Sequence, residues 1–159
     1  SPPFHKTLGF TPSYLPNISI NFKVSGLIFN YSCPDMIKCA GILENPNVFW
    51  KKSHKKRKNL FGNKYSVKKN PQLYKAVSPL YTLPKNDICP HLLIVGDKDP
   101  FVTINSLKKF KKKIIKYGGY AEIIIVKNVG HDFFNSSEFY NKQSQLTIEK
   151  ICKFLDKIS

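Results

Sequence analysis

The chain has 159 residues, 42% of them hydrophobic, and carries 26 basic against 10 acidic side chains, for a formal net charge of +16. That hydrophobic content excludes disorder as a description of the bulk, and a chain of this length buries enough surface to fold without disulfides or metal. No uncharged apolar run approaches the about 20 residues a membrane-spanning helix needs, so no membrane span is expected.

Residues 1–21 hold Pro2, Pro3, Pro12 and Pro16 and read as loop. The apolar run from Phe22 to Tyr31 reads as a buried strand, and Ser32-Cys33-Pro34-Asp35 as the turn after it, so 22–35 is strand and turn. Residues 36–89 read as a helical insert. It contains a short helix and loop over 36–47, a surface helix over 48–61 and one helical turn over 70–76. His91 to Val95 is a short buried strand that stops at Gly96, and Asp97 to Phe101 is a loop. Over 104–117, Ile104, Leu107, Phe110, Ile114 and Ile115 recur at the helical period with lysines opposite, and Tyr117-Gly118-Gly119 stops that helix. Ala121 to Val126 is another strand, and 127–135 is a loop containing His131. Residues 145–157 place Leu146, Ile148, Ile151, Cys152, Phe154 and Leu155 on an amphipathic helix, with Cys152 in the core. Residues 90–159 are therefore β-α-β-α. The class is α/β, a parallel sheet flanked by helices, within one domain over 1–159.

The basic excess gathers in Lys51–Lys58 and Lys108–Lys113, yet Arg57 is the only arginine. Reading of bases leans on the bidentate guanidinium fork, which lysine lacks. The charge therefore reads first as compositional bias and solvated helix faces, not as a nucleic-acid site. A polyanion-binding surface and, after it, a membrane-surface patch are the alternatives. Cys33, Cys39, Cys89 and Cys152 show no metal-ligand spacing and read as reduced structural residues. No phosphate loop or dinucleotide fingerprint appears, so no cofactor is expected. His91 reads as a satisfied structural residue, and His54 as a solvated one.

In a parallel α/β sheet, function collects at the carboxyl ends of the strands. Asp99 follows the strand 91–95, and His131 follows the strand 121–126. One helical crossover joins the two strands, which places their carboxyl ends on the same edge. An Asp that fixes an imidazole and stabilises its cation is the support half of a nucleophilic triad.

Gly96-Asp97-Lys98-Asp99-Pro100-Phe101-Val102 resembles the acid loop of α/β-hydrolase esterases, and Asn128-Val129-Gly130-His131-Asp132-Phe133-Phe134 resembles their histidine loop. Asn70 to Leu80 resembles the segment leading into the acid strand, and Phe22 to Asp35 the strand and Tyr-x-x-x-Asp turn after the nucleophile helix. The subgroup is similar to feruloyl and acetyl-xylan carboxylesterases, which shade into prolyl-oligopeptidase-type hydrolases. The resemblance spans roughly residues 18–157 but corresponds to the C-terminal half of such an enzyme, with a lid-like helical insert.

It implies a serine-type carboxylic-ester hydrolase acting on a small ester. Asp99 maps to the acid, with Asp97 as fallback, and His131 to the general base. Trp50, Phe101, Phe133 and Phe134 would wall a substrate pocket. The departure from the family is large: neither a Gly-x-Ser-x-Gly elbow nor a glycine-rich oxyanion loop is present. The nucleophile is expected upstream of Ser1, in the N-terminal half of the same domain, and the chain alone is expected to be nearly inactive. An inactive hydrolase fragment, or a lysine-rich scaffold, is the alternative function. A peptidase of the same fold ranks below the esterase.

Overall fold

The computed structural model describes residues 24–44, 61, 65–135 and 142–159. Strand β1 (Leu27–Asn30) leads to helix α1 (Met36–Glu44). Helices α2 (Pro71–Ala76) and α3 (Pro79–Thr82) precede β2 (His91–Gly96), and α4 (Ile104–Lys116) crosses to β3 (Ala121–Val126). A short 3-10 turn, Phe133–Asn135, and α5 (Lys142–Ile158) complete the described chain. Within the described residues this is the expected α/β arrangement, with helices in the 36–89 insert. The surface helix over 48–61, the first basic cluster, Trp50 and the 1–21 loop lie outside the described residues, apart from Phe61.

The sheet is parallel in the order β1-β2-β3. Its register runs Leu27 opposite His91 and His91 opposite Ala121. Strand β2 is buried along its whole length because it is central and covered on both faces. Leu92 and Ile94 pack with Ile124, Val126, Phe133 and Phe154 on one face. Leu93 and Val95 pack with Leu107, Phe110 and Ile114 on the other. That two-sided burial explains why β2 is an unbroken apolar run rather than an alternating one.

Helix α4 is fixed at both ends by local chemistry. The Thr103 side chain accepts the Ser106 N–H at 3.2 Å. At the other end Gly118 takes φ +80°, its N–H reaches the Ile115 carbonyl, and the Gly119 N–H reaches that of Ile114. Those two bonds form a Schellman cap, which needs the left-handed glycine. Lys108, Lys109, Lys112 and Lys116 face solvent. Ile115, expected in the buried stripe, is exposed instead.

Two further expectations are corrected. Of the strand expected over Phe22–Tyr31, the described residues form β1 over Leu27–Asn30, the edge of the described sheet, where Leu27 and Ile28 are exposed rather than buried. Among the described residues no strand pairs with its outer side. On α5 the buried stripe runs through Ser144, Thr147, Ile151, Phe154 and Ile158. Leu146, Ile148 and Leu155 are exposed, and so is Cys152, which was expected in the core. Two small polar residues hold buried positions there, and counting apolar residues alone rotates the stripe.

His91 is 3% exposed and sits between the rings of Phe29 and Phe110, with Nδ1 2.6 Å from the Cys89 carbonyl. Burial lowers its pKa below the ordinary histidine value of 6.5. The unfolded state then binds more protons than the folded state as pH falls from above 6.5 towards the folded value. Stability is therefore expected to fall through that window. Thermal melts should show the loss in the wild type and a flatter profile in His91→Gln. Parallel profiles would contradict the assignment.

Candidate active site

Asp99 and His131 meet at the carboxyl edge of the sheet. His131 Nδ1 lies 2.8 Å from Asp99 Oδ2. The other carboxylate oxygen, Oδ1, accepts the N–H groups of Phe101 at 2.8 Å and Val102 at 2.9 Å. Both Asp99 oxygens therefore act as acceptors, which makes Nδ1 the donor of the imidazole. The Asp99 side chain is fully buried and that of His131 is 34% exposed. Among the described residues no hydrogen bond reaches His131 Nε2, and the side chain is partly exposed.

The loops that carry the pair are hydrogen-bonded to each other. The Asp97 N–H reaches the Val126 carbonyl at 2.9 Å, and the Lys98 N–H reaches that of Val129 at 3.0 Å. Asp97 Oδ1 accepts the Asn128 N–H at 2.7 Å, and its other oxygen is 3.8 Å from Lys127 Nζ. Asp97, the fallback acid, is thus a brace between loops, and the structure pairs Asp99 with the histidine. Gly96 lies under this junction. A Cβ there would come within 2.3 Å of the Val129 carbonyl oxygen.

Of the aromatic residues expected to wall a pocket, Phe101 meets His131 edge-on, with ring centroids 5.0 Å apart. Phe134 is partly buried against Tyr31 and Phe133. Phe133 is 2% exposed within the core and presents no open wall, because its ring fills the space between β2, β3 and α5. Tyr31, expected only as the tyrosine of the Tyr-x-x-x-Asp turn and not as part of the site, has its ring 5.3 Å from that of His131. Its position at the end of an apolar run gave no sign of that contact.

The Cys33 thiol donates to the Asp35 carbonyl at 3.1 Å, and the neighbouring Cys39 thiol together with burial holds it above the ordinary thiol range. Among the described residues no group of three or more His, Cys, Asp or Glu is placed to hold a metal. No helix of the described residues is long and apolar enough to cross a membrane.

The parallel sheet with helices on both faces, and an Asp–His pair at its carboxyl edge, is an α/β-hydrolase arrangement. The solved structures agree on the fold. Esterase 2 of Thermogutta terrifontis with butyrate bound superposes with a TM-score of 0.62 at 20% identity, over 94% of this chain and 49% of that one. Its native form gives 0.60 at 21% identity, over 92% and 48%. Its paraoxon-phosphorylated form is 28% identical over 54% of this chain and 33% of that one, with a TM-score of 0.48. Residues 25–159 match the prolyl oligopeptidase family, and the chain belongs to it. It spans between a third and a half of the length of those esterase structures. No curated protein sequence matches it.

Proposed function

We propose that this chain is the C-terminal half of a serine-type carboxylic-ester hydrolase, supplying Asp99 and His131 to a nucleophile carried upstream. The observation behind this reading is the 2.8 Å contact from His131 Nδ1 to a buried, doubly anchored carboxylate, with no described residue bonded to Nε2. In the reaction the upstream serine hydroxyl attacks the ester carbonyl and passes its proton to Nε2. His131 returns that proton to the leaving alcohol, then takes one from the attacking water and gives it to the serine oxygen as the acid is released. Asp99 holds the tautomer and stabilises the imidazolium in both halves of the cycle. Phe101 and Phe134 would border the acyl or alcohol group. Residues 1–159 then form one partial domain, and the upstream half would pair on the outer edge of β1.

Short-chain acyl esters are the first substrates to try, because an esterase of the same fold has been solved with butyrate bound. The family match favours a second reading, a peptidase. The two separate when the chain, joined to the sequence encoded immediately upstream, is offered a short-chain aryl ester and a peptide anilide side by side. Ester turnover in excess is expected. Turnover of the peptide alone would replace the esterase by a peptidase, and turnover of neither would end the hydrolase reading.

A further inference from the structure

Tyr31 stands at the end of β1, and three observations set it apart. Its backbone adopts φ +36°, a left-handed conformation that side-chain-bearing residues rarely take and that tends to gather at functional sites. Its N–H is nevertheless tied into the sheet, donating to the Ile94 carbonyl at 2.8 Å. The side chain is then turned onto the histidine loop. The ring meets His131 at 5.3 Å and Phe133 at 5.5 Å, both edge-on, and burial together with the nearby Asp132 carboxylate holds its hydroxyl above the ordinary tyrosine range.

Asp132 is the residue next to His131 and is itself left-handed, at φ +60°. Tyr31 therefore meets the histidine loop on the imidazole and on the residues that follow it, Asp132, Phe133 and Phe134. Asp99 and Phe101 hold the same imidazole from the acid loop after β2. Packing alone asks only for the ring, and phenylalanine would supply it. The hydroxyl and its carboxylate partner fix where the loop stands relative to β1.

We infer that Tyr31 is a positioning residue for His131: its ring and its hydroxyl, set against the Asp132 carboxylate, hold the histidine loop so that Nδ1 stays on Asp99 and Nε2 faces the nucleophile. This rests on the reading of His131 as the general base. Tyr31→Phe keeps the packing and removes the hydroxyl, and Asp132→Asn removes the carboxylate charge from the other side.

The test is the exchange with water of the His131 Nδ1 proton, followed by NMR in the 15N-labelled chain, with a thermal melt beside it. In Tyr31→Phe and in Asp132→Asn the exchange is expected to accelerate about tenfold, because a loosened loop opens the pair more often. The double variant should be no faster than either single one. Unchanged exchange in Tyr31→Phe, whether or not the melting point moves, would overturn the inference, and so would additive effects in the double variant. In the chain joined to its upstream half, Tyr31→Phe should lower kcat about tenfold and leave KM in place. A raised KM with kcat unchanged would contradict it. Failure of the hydrolase reading looks different. The joined wild type would then be inactive, while the proton measurement, which needs no nucleophile, would still decide the role of Tyr31 in placing the imidazole.

Discussion

Asp99→Asn is expected to keep the fold and to lower kcat of the joined enzyme by about 10⁴-fold, the size of effect that a wrong imidazole tautomer has in serine-protease triads. The geometry gives the reason. Oδ1 is bound by the N–H groups of Phe101 and Val102 at 2.8 and 2.9 Å, so the asparagine carbonyl oxygen must take that place. The amide NH₂ then falls where Oδ2 stands, 2.8 Å from His131 Nδ1. Two donors cannot share one bond, so the proton of a neutral imidazole moves to Nε2, the nitrogen that in the proposed mechanism receives the serine proton. Steady-state kinetics checks the rate. A long-range ¹H–¹⁵N spectrum of the chain alone checks the tautomer. An active variant with the wild-type tautomer would contradict the arrangement.

The pairing of Asp99 with His131 was legible in the sequence for a topological reason. Each residue follows a short apolar strand, and a single amphipathic helix lies between the strands. Parallel strands joined in this way end on one edge, so two loop residues far apart in the chain could be placed together without any side-chain detail. Helix α4 was legible for a local reason, since its glycine stop and apolar spacing are written in adjacent residues. What was not legible depends on neighbours. The extent and exposure of β1 follow from which strands pair with it. The buried stripe of α5 passes through Ser144 and Thr147, which carry no hydrophobic signal. Tyr31 and Asp132 meet across a long sequence separation through a strained backbone, and nothing in their local sequence marks the contact.

Gly96→Ala is expected to damage stability and activity together. The new methyl carbon would lie 2.3 Å from the Val129 carbonyl oxygen and 2.6 Å from that of Gly130. Both obstacles are backbone atoms, so neither can swing aside as a side chain can. The histidine loop must move away, which strains the bond from the Lys98 N–H to the Val129 carbonyl. Overpacking of this kind costs about 1–3 kcal/mol. A displacement of His131 by about an ångström would slow the reaction by about 10²-fold. Chemical denaturation of the chain measures the first effect and ester kinetics of the joined enzyme the second. A variant with wild-type stability and rate would show that the two loops do not depend on this close approach.

The most direct measurement is hydrolysis of a short-chain aryl ester by the chain joined to its upstream half, with and without His131→Ala. If His131 is the general base, the wild type turns over the ester and the variant loses at least about 10⁴-fold in kcat, as removal of the base from a catalytic triad does. Ester hydrolysis that survives His131→Ala unchanged would contradict the assignment of the site.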